Sequence, residues 1–323
     1  MLYPFTFKPI FKERVWGGRN LEKLYGKKLD TPKPVGESWE ISDRPGDASV
    51  IANGPLADKD LRWLMEHHRR DVLGADAAPA GPFPLLVKIL DAEDTLSVQV
   101  HPPAAIAPSL NGEPKTEMWY IADARPDAVL YAGLKGGVTR EDFERRLADS
   151  TVAEALHRAP VKAGDVMFLP SGRVHAIGAG NVIFEIQQNS DTTYRVFDFN
   201  RKGLDGKPRE LHIPESLASI DFNDHEPRLN HSIYSPNPNY AVRLLVEDPL
   251  FHVDAVRVKR GERFHLRSGV VQIIGLLKGR LQITFGEHQV DLKAGDFCLL
   301  PACLGRVSFL ADSAVEYLHV QTG

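Results

Sequence analysis

Gln99, His101, Glu117 and His175 carry the side-chain types of a catalytic divalent-metal site. In Asp94-Thr-Leu-Ser-Val-Gln-Val-His101, the apolar Leu96, Val98 and Val100 alternate with Ser97, Gln99 and His101, the period-two signature of a strand. Gln99 and His101 therefore point the same way. In Lys115-Thr-Glu-Met-Trp-Tyr-Ile121 the same alternation sends Lys115, Glu117 and Trp119 to one face and Thr116, Met118 and Tyr120 to the other. A carboxylate can then meet an imidazole across neighbouring strands. Imidazole and carboxylate are the usual protein ligands of Zn²⁺ and Fe²⁺, and catalytic sites commonly use three of them with a position left open. His101, Glu117 and His175 meet that count. Gln99 offers either a fourth, neutral ligand through its amide oxygen or support from behind the ligands. Among the 12 histidines, His101 and His175 stand at strand ends beside Pro or Gly turns, whereas His67, His68, His157, His225 and His288 read as ordinary surface or core residues.

A second polar cluster lies in the segment from Val182 to Arg201, where Glu185 and Gln187 share one face and Thr193 and Arg195 share another. A hairpin through Asn189-Ser-Asp191 is expected to bring the carboxylate and the guanidinium toward one cavity; a salt bridge across exposed strands is the plainer alternative. Lys115 is harder to assign to the surface. A cation on the same face as a metal-binding carboxylate needs an anionic ligand or substrate to make it tolerable.

Short alternating runs broken by Gly, Pro and Asp must position these groups: Leu85 to Leu90, Thr95 to His101, Glu117 to Ala122, Val166 to Leu169, Val182 to Gln188 and Thr193 to Phe199. The chain is expected to be mainly β. Asp58 to His67 and Thr139 to Ala148 show helical spacing instead, with Thr139 and Asp142 resembling a capping box, so helical insertions are expected at about 58–72 and 139–157. An internal echo pairs Lys162-Ala-Gly-Asp-Val-Met-Phe-Leu-Pro170 with Lys293-Ala-Gly-Asp-Phe-Cys-Leu-Leu-Pro301. Each copy reads as the same hairpin corner of a β-barrel or jelly roll. Only the first continues into a histidine, which implies one active barrel and one degenerate, structural barrel. Asn230 to Asn239 is rich in turn formers and serves as the linker. The expected division is a metal-binding domain over 1–232 and a second barrel without metal ligands over 233–323.

With 43% apolar and 25% charged residues in 323, the composition is that of a globular protein. The net charge of −4 and the dispersed Lys and Arg residues argue against a nucleic-acid partner, although a few cations in a cleft still suit an anionic small molecule. Neither a signal-like start nor a run approaching the roughly 18 apolar residues of a membrane span is found, and the expected location is the cytoplasm. Cys298 and Cys303 lie in an apolar, strand-like stretch and are expected to be reduced structural thiols.

Six motifs in order give a specific resemblance: Phe11-Lys-Glu-Arg-Val-Trp-Gly-Gly18, Gly36-Glu-Ser-Trp-Glu-Ile41, Gln99-Val-His-Pro-Pro103, Lys115-Thr-Glu-Met118, Val174-His-Ala-Ile177 and Asn189-Ser-Asp-Thr-Thr-Tyr-Arg195. On these the chain resembles the type I mannose-6-phosphate isomerases (phosphomannose isomerases) in their short bacterial form. The resemblance implies a cupin fold and one zinc ion per chain, held by His101, Glu117 and His175 with Gln99 as a further ligand. It also implies that Arg195 is the active-site arginine, and that the reaction interconverts mannose 6-phosphate and fructose 6-phosphate. For the cis-enediolate of such a reaction, Lys115 and Arg195 are the candidates to offset charge or hold the phosphate. Glu185, a carboxylate on an apolar strand, is the first candidate for the proton shuttle, with His101 or Lys115 as alternatives. The expected partner is a phosphorylated hexose and the expected assembly a monomer or homodimer. Two other readings stay open: a cupin non-haem Fe(II) oxygenase and a non-catalytic sugar-binding cupin.

Overall fold

A computed structural model describes residues 1–267 and 269–323. Apart from a two-stranded ribbon of Asp43–Arg44 and Asp47–Ala48, the named strands form four antiparallel sheets. The first sheet has six strands in the order Ile10–Gly18, Val35–Ile41, Leu85–Ala92, Asn181–Gln188, Glu117–Ala124, Val166–Leu169. The second has five, Tyr194–Phe197, Val98–Val100, His175–Ile177, Val129–Leu134 and Leu156–Pro160. The third sheet (Ser235–Pro236, Tyr240–Glu247, Phe251–Val258, Val315–Thr322, Gln272–Lys278, Phe297–Leu300) and the fourth (Arg263–Arg267, Arg306–Ala311, Arg280–Phe285, His288–Lys293) repeat the pattern. The expectation of a mainly β chain with small helical insertions holds.

Both faces of the first sheet are buried, which is why its strands read as nearly continuous apolar runs. Val182, Phe184 and Ile186 point back into a core shared with the third sheet, where Phe184 meets Phe297 with ring centroids 5.3 Å apart and Phe168 meets Phe251 at 6.4 Å. The opposite face looks toward the second sheet. Glu185 stands there, between Phe184 and Ile186 in sequence and opposed to them in space. Phe5 exchanges two backbone hydrogen bonds with Leu299 (2.9 and 2.8 Å), tying the start of the chain to the last strand of the third sheet.

The repeated Lys-Ala-Gly-Asp segments form the same turn. Asp165 accepts from the Lys162 amide at 2.9 Å and Asp296 from the Lys293 amide at 3.0 Å, and the glycines adopt left-handed φ values of 92° at Gly164 and 85° at Gly295, a region open to Gly at no steric cost. Neither turn closes a hairpin. The strands on its two sides belong to different sheets, second to first in one copy and fourth to third in the other, so each turn is a corner between sheets.

Asp60 caps the helix Leu61–His67 by accepting from the Trp63 amide, so that helix begins after the expected position 58. Thr139 caps Arg140–Ala148 through the Asp142 amide as expected. The second insertion ends earlier than 157: after the short turn Val152–Ala155 the chain is already the strand Leu156–Pro160. Helices Asn20–Tyr25 and Ile213–Ser219 were not anticipated. Tyr194–Phe197 stops short of Phe199 because Phe199 and Asn200 turn to φ 53° and 54°. Cys298 is buried in the third sheet, whereas Cys303 is exposed, which corrects its reading as a structural thiol. No helix of the described residues is long and apolar enough to cross a membrane.

Strand Ile10–Gly18 leaves register against Val35–Ile41 near Glu13, and the departure demands glycine on both strands. A Cβ on Gly17 would lie 2.3 Å from the Gly36 amide nitrogen, and one on Gly36 would lie 2.6 Å from both the Arg14 Cβ and the Trp16 ring. Gly36→Ala is therefore expected to destabilise the chain by about 1–3 kcal/mol through overpacking. Chemical denaturation measures it, and an unchanged midpoint would show that the strands separate at no cost.

Candidate active site

The second sheet faces the first across a polar interior. His175 pairs with Gln99 and Gln99 with Arg195, so the three stand in a row across neighbouring strands of the second sheet. His101 follows the same strand as Gln99. From the first sheet, Glu117 begins one strand and pairs with Gln187 on the next, where Glu185 pairs on its other side with Lys88.

His101, Glu117 and His175 are buried and each offers a ligand atom, all within 4.8 Å of one another. The tautomers are fixed by carbonyls, which only accept: Nδ1 of His101 lies 2.8 Å from the Thr192 oxygen and Nδ1 of His175 lies 2.9 Å from the Arg173 oxygen. Each Nδ1 must therefore carry the proton, leaving Nε2 with a bare lone pair. Those lone pairs face the Glu117 carboxylate, at 3.6 Å for His101 and 3.4 Å for His175. Glu117 Oε1 accepts no hydrogen bond from any described group. Lone pairs and anion converging in a dry interior call for a cation between them. The donor set thus fits a divalent metal. Gln99 Nε2 is 3.2 Å from His175 Nε2; rotating the amide by half a turn places its oxygen at that point instead.

Lys115 stands 2.6 Å from Glu117 Oε2, 3.3 Å from His101 Nε2 and 4.0 Å from Glu185 Oε1. Burial works to strip its proton, and the carboxylates of Glu117 and Glu185 more than reverse this, raising its pKa. Burial likewise opposes ionisation of Glu117, but the Lys115 ammonium holds its carboxyl well below the usual range. Burial pushes His175 down to about 3 and lowers His101 also, so both rings are neutral and ready to ligate at pH 7. Glu185 is the one acid in the group whose pKa is raised: burial outweighs Lys115 and Lys88, the latter 3.3 Å away. Its Oε1 accepts from the Trp119 indole at 2.9 Å.

Beside this cluster lies a cavity of about 590 Å³, lined among others by Gln99, Lys115, Glu185 and Arg195. Gln99, Lys115, Glu185 and Arg195 thus share one chamber, and His101, Glu117 and His175 adjoin it behind Gln99 and Lys115. The expected hairpin is absent: Asn181–Gln188 and Tyr194–Phe197 belong to different sheets, and Glu185 and Arg195 meet across the cavity. Sequence reasoning missed Lys88, Glu37, Arg14 and Arg209, which also line it. Lys88 had left a signal, a lone charge inside Leu85-Leu-Val-Lys-Ile-Leu90. Arg209, in an irregular loop, had left none.

Comparison with known proteins places this chamber. Residues 5–115 match the type I phosphomannose isomerase catalytic domain. The chain is 37% identical over 320 residues to the mannose-6-phosphate isomerase ManA of Bacillus subtilis, covering 98% of this chain and 99% of that protein. It belongs to the type I mannose-6-phosphate isomerase family. It is likewise 34% identical over 320 residues, 99% of each chain, to the mannose-6-phosphate isomerase of Streptococcus mutans. The crystal structure of the Bacillus subtilis mannose 6-phosphate isomerase superimposes with a TM-score of 0.89, at 29% identity and with 100% of both chains covered. The chain is an isomerase, and these likenesses do not favour the oxygenase or the non-catalytic reading. The family match ends at 115, two residues before Glu117, so Glu117 and His175 are joined to the site by geometry. For a member of this metal-dependent isomerase family, Glu117→Gln is expected to weaken divalent-metal retention by at least roughly tenfold. Elemental analysis of the purified, folded variant reads this directly, and a full equivalent of tightly held metal would remove Glu117 from the ligand set.

Proposed function

We propose that the chain interconverts mannose 6-phosphate and fructose 6-phosphate through a cis-enediolate, with one Zn²⁺ held by His101, Glu117 and His175 and with Gln99 as a further ligand. The observation that carries this reading is the placement of a buried carboxylate of raised pKa, Glu185, beside a metal-type donor set in a cavity lined by arginine and lysine. The cavity volume of about 590 Å³ falls in the roughly 300–1,000 Å³ range of small-molecule sites. Zinc supplies Lewis-acid polarisation of a substrate oxygen when bound.

The residues divide the remaining tasks. Both nitrogens of His101 are committed, one to the Thr192 carbonyl and one to the Glu117 cluster, which leaves it without a free position for shuttling a proton. Lys115 is held protonated by two carboxylates and serves as a fixed positive charge beside the developing enediolate. Glu185 remains as the group that takes the proton from one sugar carbon and returns it to the next, its raised pKa bringing the carboxyl nearer to working pH. Trp119 and Lys88 hold it in place. At the other side of the cavity Arg195 forms no salt bridge with a carboxylate among the described residues: its Nη1 donates to the Glu210 carbonyl at 2.8 Å and its buried Nε has no hydrogen-bond partner there. Together with Arg209 it forms the seat for the phosphate.

We infer further that 1–232 and 233–323 are separate cupin-type jelly rolls, the second without metal ligands. The paired sheets and the twice-used corner support this. A cytoplasmic monomer or homodimer suits a phosphosugar enzyme with free Cys298 and Cys303.

A coupled assay in both directions, before and after chelation, tests the reading: turnover is expected to vanish with the metal and return with zinc. Arg195→Ala is expected to lower kcat by about a hundred- to a thousandfold with the circular dichroism spectrum retained. Near-wild-type turnover in that variant would remove Arg195 from catalysis.

A further inference from the structure

Arg209 reaches the cavity from a loop, and a loop alone does not aim a guanidinium. Asp198 supplies the aim. Its Oδ2 accepts from Arg209 Nε at 2.8 Å and its Oδ1 from Arg209 Nη2 at 3.1 Å, a two-pronged fork, while Oδ1 also accepts from Arg201 Nη2 at 2.7 Å. Asp198 is 5% exposed and is not among the cavity-lining residues. The fork uses one edge of Arg209 and leaves its Nη1 with no protein hydrogen bond among the described residues. Arg201 is anchored independently through the Thr95 carbonyl at 2.6 Å, so the loop between Asp198 and Arg209 is pinned at both ends by one carboxylate. Between those ends, Gly203, Leu204 and Asp205 line the cavity mouth, closed by a Gly203 amide bond to the Lys207 carbonyl at 2.8 Å.

From this clasp we infer that Asp198 is a positioning residue: it turns Arg209 toward the phosphate of the substrate and so sets the enzyme's preference for phosphorylated over neutral hexoses. The inference rests on the phosphate seat proposed above. Arg201 and Arg209 both pair with this buried carboxylate, and its charge also reaches Arg195: burial, then Arg209, work to lower the pKa of Arg195, and Asp198 works to raise it. Asp198 therefore plays two parts with opposite consequences. As a negative charge it weakens the field that attracts phosphate. As a fork it fixes the donor that binds phosphate, and a rigid planar fork gives bidentate recognition its strength. Positioning is the larger effect for a guanidinium on a mobile stem, because an unaimed donor loses a charged hydrogen bond.

The sign of one variant decides between the two parts. Asp198→Asn removes the charge and one acceptor while keeping the shape. Positioning predicts that KM for mannose 6-phosphate and the inhibition constant of inorganic phosphate both rise about tenfold with kcat unchanged. Asp198→Glu keeps the charge and displaces the oxygens by one methylene; it is expected to raise both constants too, and it carries the test should Asp198→Asn fail to fold. In an Arg209→Lys background, where the fork no longer exists, Asp198→Asn is expected to add no further rise. A fall or no change of KM in the single variants, a loss confined to kcat, or additive effects in the double variant would overturn the inference. A wild-type enzyme that ignores inorganic phosphate and phosphosugars alike would instead overturn the functional reading on which it rests.

Discussion

A carboxylate kept ionised with none of its surface in water is the constraint around which this structure is arranged. Glu117 is 0% exposed, and an isolated charge in such a place costs several kcal/mol or more. What makes it tolerable is a row of alternating charges across the floor of the first sheet. Arg14 lies 2.6 Å from Glu37, Glu37 4.0 Å from Lys88, Lys88 3.3 Å from Glu185, Glu185 4.0 Å from Lys115, and Lys115 2.6 Å from Glu117. Each of the four interior members sits between opposite signs, and the last, Glu117, faces two bare imidazole nitrogens. The row ends on a negative charge with lone pairs around it, and that is the definition of a cation site. Removing any interior member would leave two like charges as neighbours, so the members depend on one another and on the strand order that sets them side by side.

That strand order explains why the chamber needs two sheets. The first sheet supplies the row of charges, and the second supplies Gln99, His101, His175 and Arg195. Neither set closes a site alone. The back of the first sheet is meanwhile sealed by the third sheet through the shared core, which keeps water from the charged row from behind and strengthens every interaction in it. Tyr120, on the Glu117 strand but pointing to the opposite face, donates to Glu316 at 3.2 Å, and Tyr234 donates to the same oxygen at 2.7 Å. The second pair of sheets therefore holds the strand that carries Glu117 as well as covering it.

Much of this could be read from the chain because period-two alternation is a local property. Gln99 with His101 and Lys115 with Glu117 share faces whatever the remainder of the fold does, and the repeated Lys-Ala-Gly-Asp turn announces itself by its own chemistry. What could not be read was which sheet each strand joins. The turn formers Asn189-Ser-Asp191 suggest one hairpin for Glu185 and Arg195; in the structure the chain leaves the first sheet and enters the second between them. Both residues still reach the cavity, because opposing sheets bring faces together as effectively as neighbouring strands do. Arg209 was unreadable for a different reason. Its position follows from a fork on Asp198 and from two left-handed residues, Phe199 and Asn200, and neither an irregular loop nor a salt bridge within it has a period to detect.

The distribution of charge along the chamber also bears on how one sugar fits two ends of different chemistry. At the Glu117 end, positive charge is matched by carboxylate at short range, so the surroundings are polar yet nearly neutral. At the Arg195 end, Arg195 and Arg209 line the chamber together with Asp191 and Asp205, while the buried Asp198 pairs with Arg201 and Arg209. On the function proposed above, Arg195 and Arg209 take the phosphate as hydrogen-bond donors, and the end that holds Glu117 and Glu185 disfavours it. On that proposal the substrate would be oriented before any bond changes, with its charged tail away from the acids and its reacting carbons toward Glu185. Such orientation requires no movement of the protein, and it places the catalytic demand on the rigidity of the guanidiniums that line the chamber.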